Sequence, residues 1–209
     1  EINKFGGRFK YSKINQLIDR VDNGITSNIT KIIIRRDLKA LLNQFVQYEL
    51  CFGNRFYINP AGFNIKSTGF TVSGSTDIAY LTDVPNKDAS GNLDGSMMGT
   101  ISVVAKNNKN QQVVLIKDAG VVDYMKGEVI LNTINITSTV AQNNIIEVQA
   151  YPESNDVVGL KDLFVSFNVS NSTINMKEDV IASGEDVSGV VFTRDYFTSS
   201  YSNGVLERG

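Results

Sequence analysis

Apolar positions along the chain follow two different periods. From residue 11 to 22, Tyr11, Ile14, Leu17, Ile18 and Val21 recur at helical spacing, and Asn23-Gly24 follows as a stop. The pattern predicts an amphipathic helix over Tyr11 to Asp22 that covers a core, with Ser12 placed to cap its start. Ser27 to Arg36 mixes β-branched residues with polar alternation and predicts a strand. Leu38, Leu41, Leu42, Phe45 and Val46 fit a helical stripe, after which Gln47 to Tyr57 returns to a strand-like pattern.

From Phe63 to Tyr151 the apolar runs are short, β-branched and bounded by Gly, Asn, Asp or Ser. They predict strands over Phe63 to Val72, Ile78 to Thr82, Thr100 to Ala105, Gln112 to Ile116, Val121 to Tyr124, Glu128 to Asn132, Ile134 to Thr139 and Ile145 to Tyr151. A tight hairpin is expected across Tyr124 to Val129, with Gly127 supplying positive φ. Ile134, Ile136, Ser138 and Val140 share one face and Asn135, Thr137 and Thr139 the other, the signature of a half-buried antiparallel sheet. Beyond it lie a short helix around Asp156 to Leu160, strands near Phe164 to Val169 and Val187 to Phe192, and an aromatic end with Tyr196, Phe197 and Tyr201. The fold class expected is therefore β-rich α+β, mostly antiparallel strands with one or two short amphipathic helices. A subdivision into residues 1–60, an α/β entry segment, 61–155, a β-rich part, and 156–209, a C-terminal tail, suits the pattern. No solenoid-length repeat is present.

The chain has 209 residues, 42% hydrophobic and 20% charged, which suits one globular domain or two small ones. It starts at Glu1 without an initiator methionine, which leads to the expectation of a segment from a longer protein. No apolar run approaches the roughly 18 residues of a membrane span, so a soluble chain without membrane insertion is expected. With a formal net charge of −2 and basic residues clustered only at Lys31, Arg35, Arg36 and Lys39, nucleic acid is not an expected partner. Cys51, the single cysteine, has no partner for an internal disulfide and reads as a buried thiol. Histidine is absent, which removes Ser-His-Asp and Cys-His nucleophile pairs, histidine bases and the usual zinc sites from this segment.

Other candidates for chemistry are weak. Asn86 to Asp94 begins like a calcium loop with Gly91 at the sixth position, yet Met97 stands at the twelfth, where a bidentate Glu belongs, so a polar hairpin loop is the better reading. Phe5-Gly6-Gly7-Arg8 lacks the Lys-Ser/Thr of a phosphate loop and reads as a flexible helix entry. Sequons at Asn28, Asn135, Asn168 and Asn171 are unremarkable in so Asn-, Ser- and Thr-rich a chain. No spacing nominates a pair of acids for glycoside hydrolysis, and Lys126 and Glu128 read as solvated turn flanks. No catalytic, cofactor-binding or metal-ligating residue is nominated. Three segments remain as interface candidates: Tyr11 to Val21, the basic strand and the aromatic tail. The basic strand reads equally as a guarded sheet edge or a salt-bridging contact to a partner.

Several runs resemble, in order, the C-terminal half of the large wedge subunit of T-even-type contractile phage baseplates, a relative of the baseplate J-like family. They are Ile18-Asp19-Arg20-Val21-Asp22-Asn23-Gly24-Ile25-Thr26-Ser27-Asn28-Ile29-Thr30, Arg35-Arg36-Asp37-Leu38, Leu42-Asn43, Tyr48-Glu49-Leu50-Cys51-Phe52-Gly53-Asn54, Val122-Asp123-Tyr124-Met125-Lys126-Gly127-Glu128-Val129 and Ser154-Asn155-Asp156-Val157-Val158. The likeness covers about Phe5 to Val158 and is less sharp after Asp162. It implies a structural virion protein of the tail baseplate, made in the bacterial host cytoplasm, without catalysis or cofactor. Such a subunit pairs with a second copy of itself and joins neighbouring wedge proteins in a ring around the central hub. It also implies a loop between strands, in place of the helical stripe, from Leu38 to Val46. The alternative that the residues permit is a carbohydrate-binding or adhesin-like β module.

Overall fold

The computed structural model describes residues 5–106, 111–160 and 165–177, together with Tyr201–Ser202 and Val205–Leu206. The chain divides into two compact units, Glu1–Val169 and Ser170–Gly209. In the first, β1 (Arg8–Phe9) leads into α1 (Tyr11–Asp19), followed by β2 (Ile34–Lys39), β3 (Phe45–Cys51), β4 (Lys66–Ser67), β5 (Phe70–Val72), β6 (Ala79–Pro85), β7 (Met98–Lys106), β8 (Gln112–Asp123), β9 (Glu128–Thr139), β10 (Ile145–Ala150) and β11 (Val157–Val158). The second contains β12 (Tyr201–Ser202) paired antiparallel with β13 (Val205–Leu206).

A nine-stranded sheet runs in the order β2-β10-β4-β6-β5-β9-β8-β7, with β3 on β9 and a further pairing of β6 with β7. All of its pairings are antiparallel. The β-rich α+β class expected from the sequence is thus what forms, with one α-helix among the described residues. β2 and β3, from the entry segment, belong to the same sheet as the strands that follow.

The pairings through β9, β8, β7, β6 and β5 return to β9, and β9 is bulged between the part that meets β8 and the part that meets β5. Tyr48 of β3 faces Leu131 while Val46 faces Ile134, so β9 carries one residue more than its partner. Such a bulge bends the strand and steepens its twist. The first part of β9 bonds β8 through residues 128–131, and the second bonds β5 through residues 136–139. Asn132 and Thr133 are both exposed, while Leu131, Ile134 and Ile136 are buried. Two strands expected on either side of this point, and two expected within 112–124, are each continuous.

Inside lie Phe56, Ile65, Phe70, Leu81, Ile101, Val103, Val122, Tyr124, Val129, Leu131, Ile136 and Ile146, all essentially without solvent exposure. Each large apolar side chain buried this way contributes roughly 1.5–3 kcal/mol. The turn between β8 and β9 has Gly127 at φ 68° as expected, its N–H donating to the Asp123 carbonyl at 2.9 Å.

Several local expectations fail for identifiable reasons. The helix has no buried residue, so it does not cover the core, and Leu17 and Val21 are 53% and 77% exposed. Ser12 lies inside it, and its first free N–H, that of Tyr11, donates instead to Asp156 Oδ1 at 2.8 Å. A carboxylate there satisfies an orphan donor and the positive end of the helix dipole together. Asp156→Ala should therefore cost about 1 kcal/mol, seen as a lower midpoint in urea.

From 38 to 46 the chain runs strand, turn and strand, with no helix, the connection spanning only residues 40–44. Ser27 to Ile33 is irregular, and β2 begins at Ile34. Residues 156–160 form no helix. β11 there pairs with β1, and the expected flexible glycine entry is tied down as Gly6 N–H meets the Leu160 carbonyl and the Gly7 carbonyl accepts from Gly159 N–H. Residues 165–168 have no regular structure, and a 3-10 turn spans Val169–Asn171. Val187 to Phe192, Tyr196 and Phe197 lie outside the described residues. No helix among those described is long and apolar enough to cross a membrane.

Candidate assembly interface

Every strand in the interior of a sheet satisfies its main chain on both sides; an edge strand leaves half unpaired. Among the described residues three such edges stand out.

The first is β2, which pairs only with β10. Ala40 N–H donates to the Asn144 carbonyl at 2.8 Å, and alternation then turns the main-chain groups of Arg35, Asp37 and Lys39 outward. This is the basic strand of the sequence. Arg35 is bound within its own sheet, to Asp37 Oδ1 at 2.8 Å and to Glu147 Oε1 at 2.9 Å, and these acids raise its already high pKa. With charges at Arg35, Arg36, Asp37 and Lys39, the edge fits the pattern by which proteins blunt edge pairing.

β3 is the second edge, pairing only with β9. Phe52 N–H donates to the Gly127 carbonyl at 2.8 Å, so along this regular strand the main-chain groups of Phe45, Gln47, Glu49 and Cys51 face away from β9. Its side chains alternate, Leu50 being buried and Val46 and Tyr48 half-buried, whereas Gln47 and Glu49 are exposed and Phe45 is 73% exposed. Tyr48 packs against the core, and its hydroxyl accepts from Leu41 N–H at 3.0 Å. Cys51, expected to be buried, is half-exposed on this edge.

The third is the front of β8. Gln112–Ile116 pairs with β7, while the ladder with β9 begins only at Gly120. Val113 and Val114 are 43% and 52% exposed. Register shifts against β7 in this stretch break its regularity.

The helix candidate contributes exposed Leu17 and Val21, and beyond it Ile29 is 90% exposed. Of the aromatic tail, only the main chain of Tyr201 is described, in β12.

In the loop resembling a calcium site, Asp88 Oδ1 accepts from Ser90 N–H at 2.8 Å and Asn92 N–H at 3.0 Å, and Asp94 Oδ1 from Ser96 N–H at 2.8 Å. The bonds from Ser96 hold the Asp94 carboxyl below its usual pKa. These are turn bonds of the kind Asp makes to its own loop. Among the described residues no cluster of His, Cys, Asp or Glu is poised to hold a metal. Lys126 lies 3.5 Å from Asp123 and 3.9 Å from Glu128, a surface pairing at a turn. A shallow depression lined by Val72, Ser73, Gly74, Ser75, Thr76 and Thr137 lies open to solvent.

One buried polar group escaped the sequence altogether. Asp83 is fully buried, its Oδ1 accepting from Ile65 N–H at 2.7 Å and its Oδ2 from the Tyr124 hydroxyl at 2.7 Å. Burial, with the neighbouring Asp83 charge, pushes the Tyr124 hydroxyl well above its ordinary pKa. The pair is sealed from solvent and joins β6, the 63–65 segment and the β8–β9 turn. Nothing short of contact partners marks Asp83 among the chain's acids.

No protein-family model matches the chain, and no curated protein matches it at a significant level.

Proposed function

We propose that this chain is a structural component of a phage tail baseplate wedge, one that self-associates and joins neighbouring wedge proteins in a ring around the central hub. The observation that carries the reading is the ordered set of resembling runs between Ile18 and Val158. The structure supports it in a physical sense. A body with unpaired, regular strand edges and large exposed apolar side chains offers what assembly needs, extended complementary surface rather than a perturbed titratable cleft. Repeated contacts around a ring hold together even when each is modest.

Sedimentation velocity of the purified chain over a wide concentration range tests the self-association on which this reading depends. A reversible dimer is expected, its population rising with concentration. A strict monomer at every concentration, together with binding of a glycan, would replace the scaffold by the carbohydrate-binding alternative.

A further inference from the structure

We infer that a second copy of this chain pairs with β3, antiparallel and centred on Gln47, extending the sheet across a two-fold axis. The inference rests on the self-associating reading above and deepens it by naming the surface.

The argument is one of register and charge. A two-fold normal to a sheet sets some residue of the edge strand against its own copy. On β2, centring on Arg35, Arg36 or Asp37 opposes that charge to itself, centring on Asp37 also sets Arg35 against Lys39, and centring on Leu38, which avoids both, leaves only Asp37 to Lys39 of the strand paired. Like charges directly opposite destabilise a strand pair. The front of β8 is apolar, yet its register shifts put main-chain donors and acceptors out of step for continuous pairing.

β3 has neither obstacle. Centred on Gln47, its outward groups meet as reciprocal bonds, Gln47 to Gln47 of the second copy and Phe45 to Glu49 on either side. The β3 side of its ladder with β9 is regular, since the extra residue sits in β9. On the half-buried face Val46 meets Tyr48 of the second copy, an aromatic and β-branched pair that favours sheet pairing and continues the face ending in buried Leu50. On the other face the exposed ring of Phe45 lies beside Glu49, and the register opposes no like charges. With only one charged residue, Glu49, in seven, β3 carries little of the guarding seen on β2.

The test uses the full chain carrying Cys51→Ser, so that an added thiol is the only one. Gln47→Cys should give a disulfide-linked dimer under mild oxidation, because paired Cα atoms in such a ladder lie about 5.5 Å apart, inside the disulfide range. Asp37→Cys and Val114→Cys, on the other two edges, should cross-link at least tenfold less. Gln47→Pro, which removes an outward N–H that the monomer leaves unpaired, should weaken the dimer at least tenfold by sedimentation, while Arg36→Glu leaves it unchanged. If the parent chain dimerises but Gln47→Cys does not cross-link and Gln47→Pro dimerises normally, the β3 surface is overturned and the scaffold reading stands. A strictly monomeric parent overturns the self-association itself. Slow hydrogen exchange at the Gln47 and Glu49 amides of a monomer would also overturn the surface, since a segment of the same chain would then occupy the edge.

Discussion

Asp83→Ala is expected to lower the stability of the folded chain by about 3–5 kcal/mol, a large share of what a domain of this kind possesses. The change removes the acceptor of the Tyr124 hydroxyl and of Ile65 N–H and leaves both donors buried. Each unpaired buried donor costs roughly 1–3 kcal/mol, and the lost side-chain volume adds to it. Asp83→Asn should cost less, about 1–2 kcal/mol, because the amide oxygen still accepts and the Tyr124 hydroxyl can rotate to accept from the amide nitrogen. Urea unfolding measures both. Equal losses for the two variants would show that shape rather than hydrogen bonding holds the site.

The same pair gives a pH signature. Burial, and then the Asp83 charge, raise the Tyr124 pKa in the folded state above its ordinary value. The unfolded chain ionises this tyrosine first, so its contribution is complete below about pH 10 and is lost as pH rises beyond it. Tyr124→Phe should be less stable than the parent at neutral pH, and the gap should narrow above about pH 10. A gap that stays constant through the alkaline limb would contradict the raised pKa.

Gly127→Ala is expected to be a severely damaging glycine substitution among the described residues, at about 3–4 kcal/mol. Two effects add here. The residue has φ 68°, a region that costs an L residue roughly 1–2 kcal/mol, and a Cβ would stand 1.9 Å from the Asn54 carbonyl oxygen. Making room must move Asn54, whose side chain donates to the Val158 carbonyl at 2.8 Å and accepts from Val158 N–H at 2.9 Å. The damage should therefore reach β11, which faster hydrogen exchange at Val158 would register. Gly91→Ala separates the two effects. Its φ is 83° with nothing within 4 Å of the added carbon, so only the conformational cost of about 1 kcal/mol should appear. Similar losses at the two positions would mean that the contact with Asn54 is soft.

How much of this was legible before the structure depends on the range of the interaction. Gly127 is legible in the sequence because a turn is decided by a few adjacent residues and by the one residue type that accepts its φ. The start of α1 is not legible there, because the acceptor for Tyr11 N–H, Asp156, arrives from 145 residues away. Leu38 to Val46 fits a helical stripe as well as a strand and turn, and what decided it was the pairing of β2 with β10 and β3 with β9. Local periodicity cannot see either partner. The interface candidates fared in the same way. The basic strand was visible as composition, but its standing as an edge, with Arg35 already satisfied by Asp37 and Glu147, was not.

The sequence by itself determined the class, the strand-rich middle, the β8–β9 hairpin and the absence of histidine chemistry, since these follow from residue type and period alone. Only the tertiary structure decided which strands lie inside the sheet and which at its edges, where the extra residue of β9 falls, and that Asp83 is the buried acid among the described residues. Those outcomes depend on main-chain hydrogen bonds and side-chain contacts between positions far apart in the chain, and such pairings leave no mark on the local pattern of either partner.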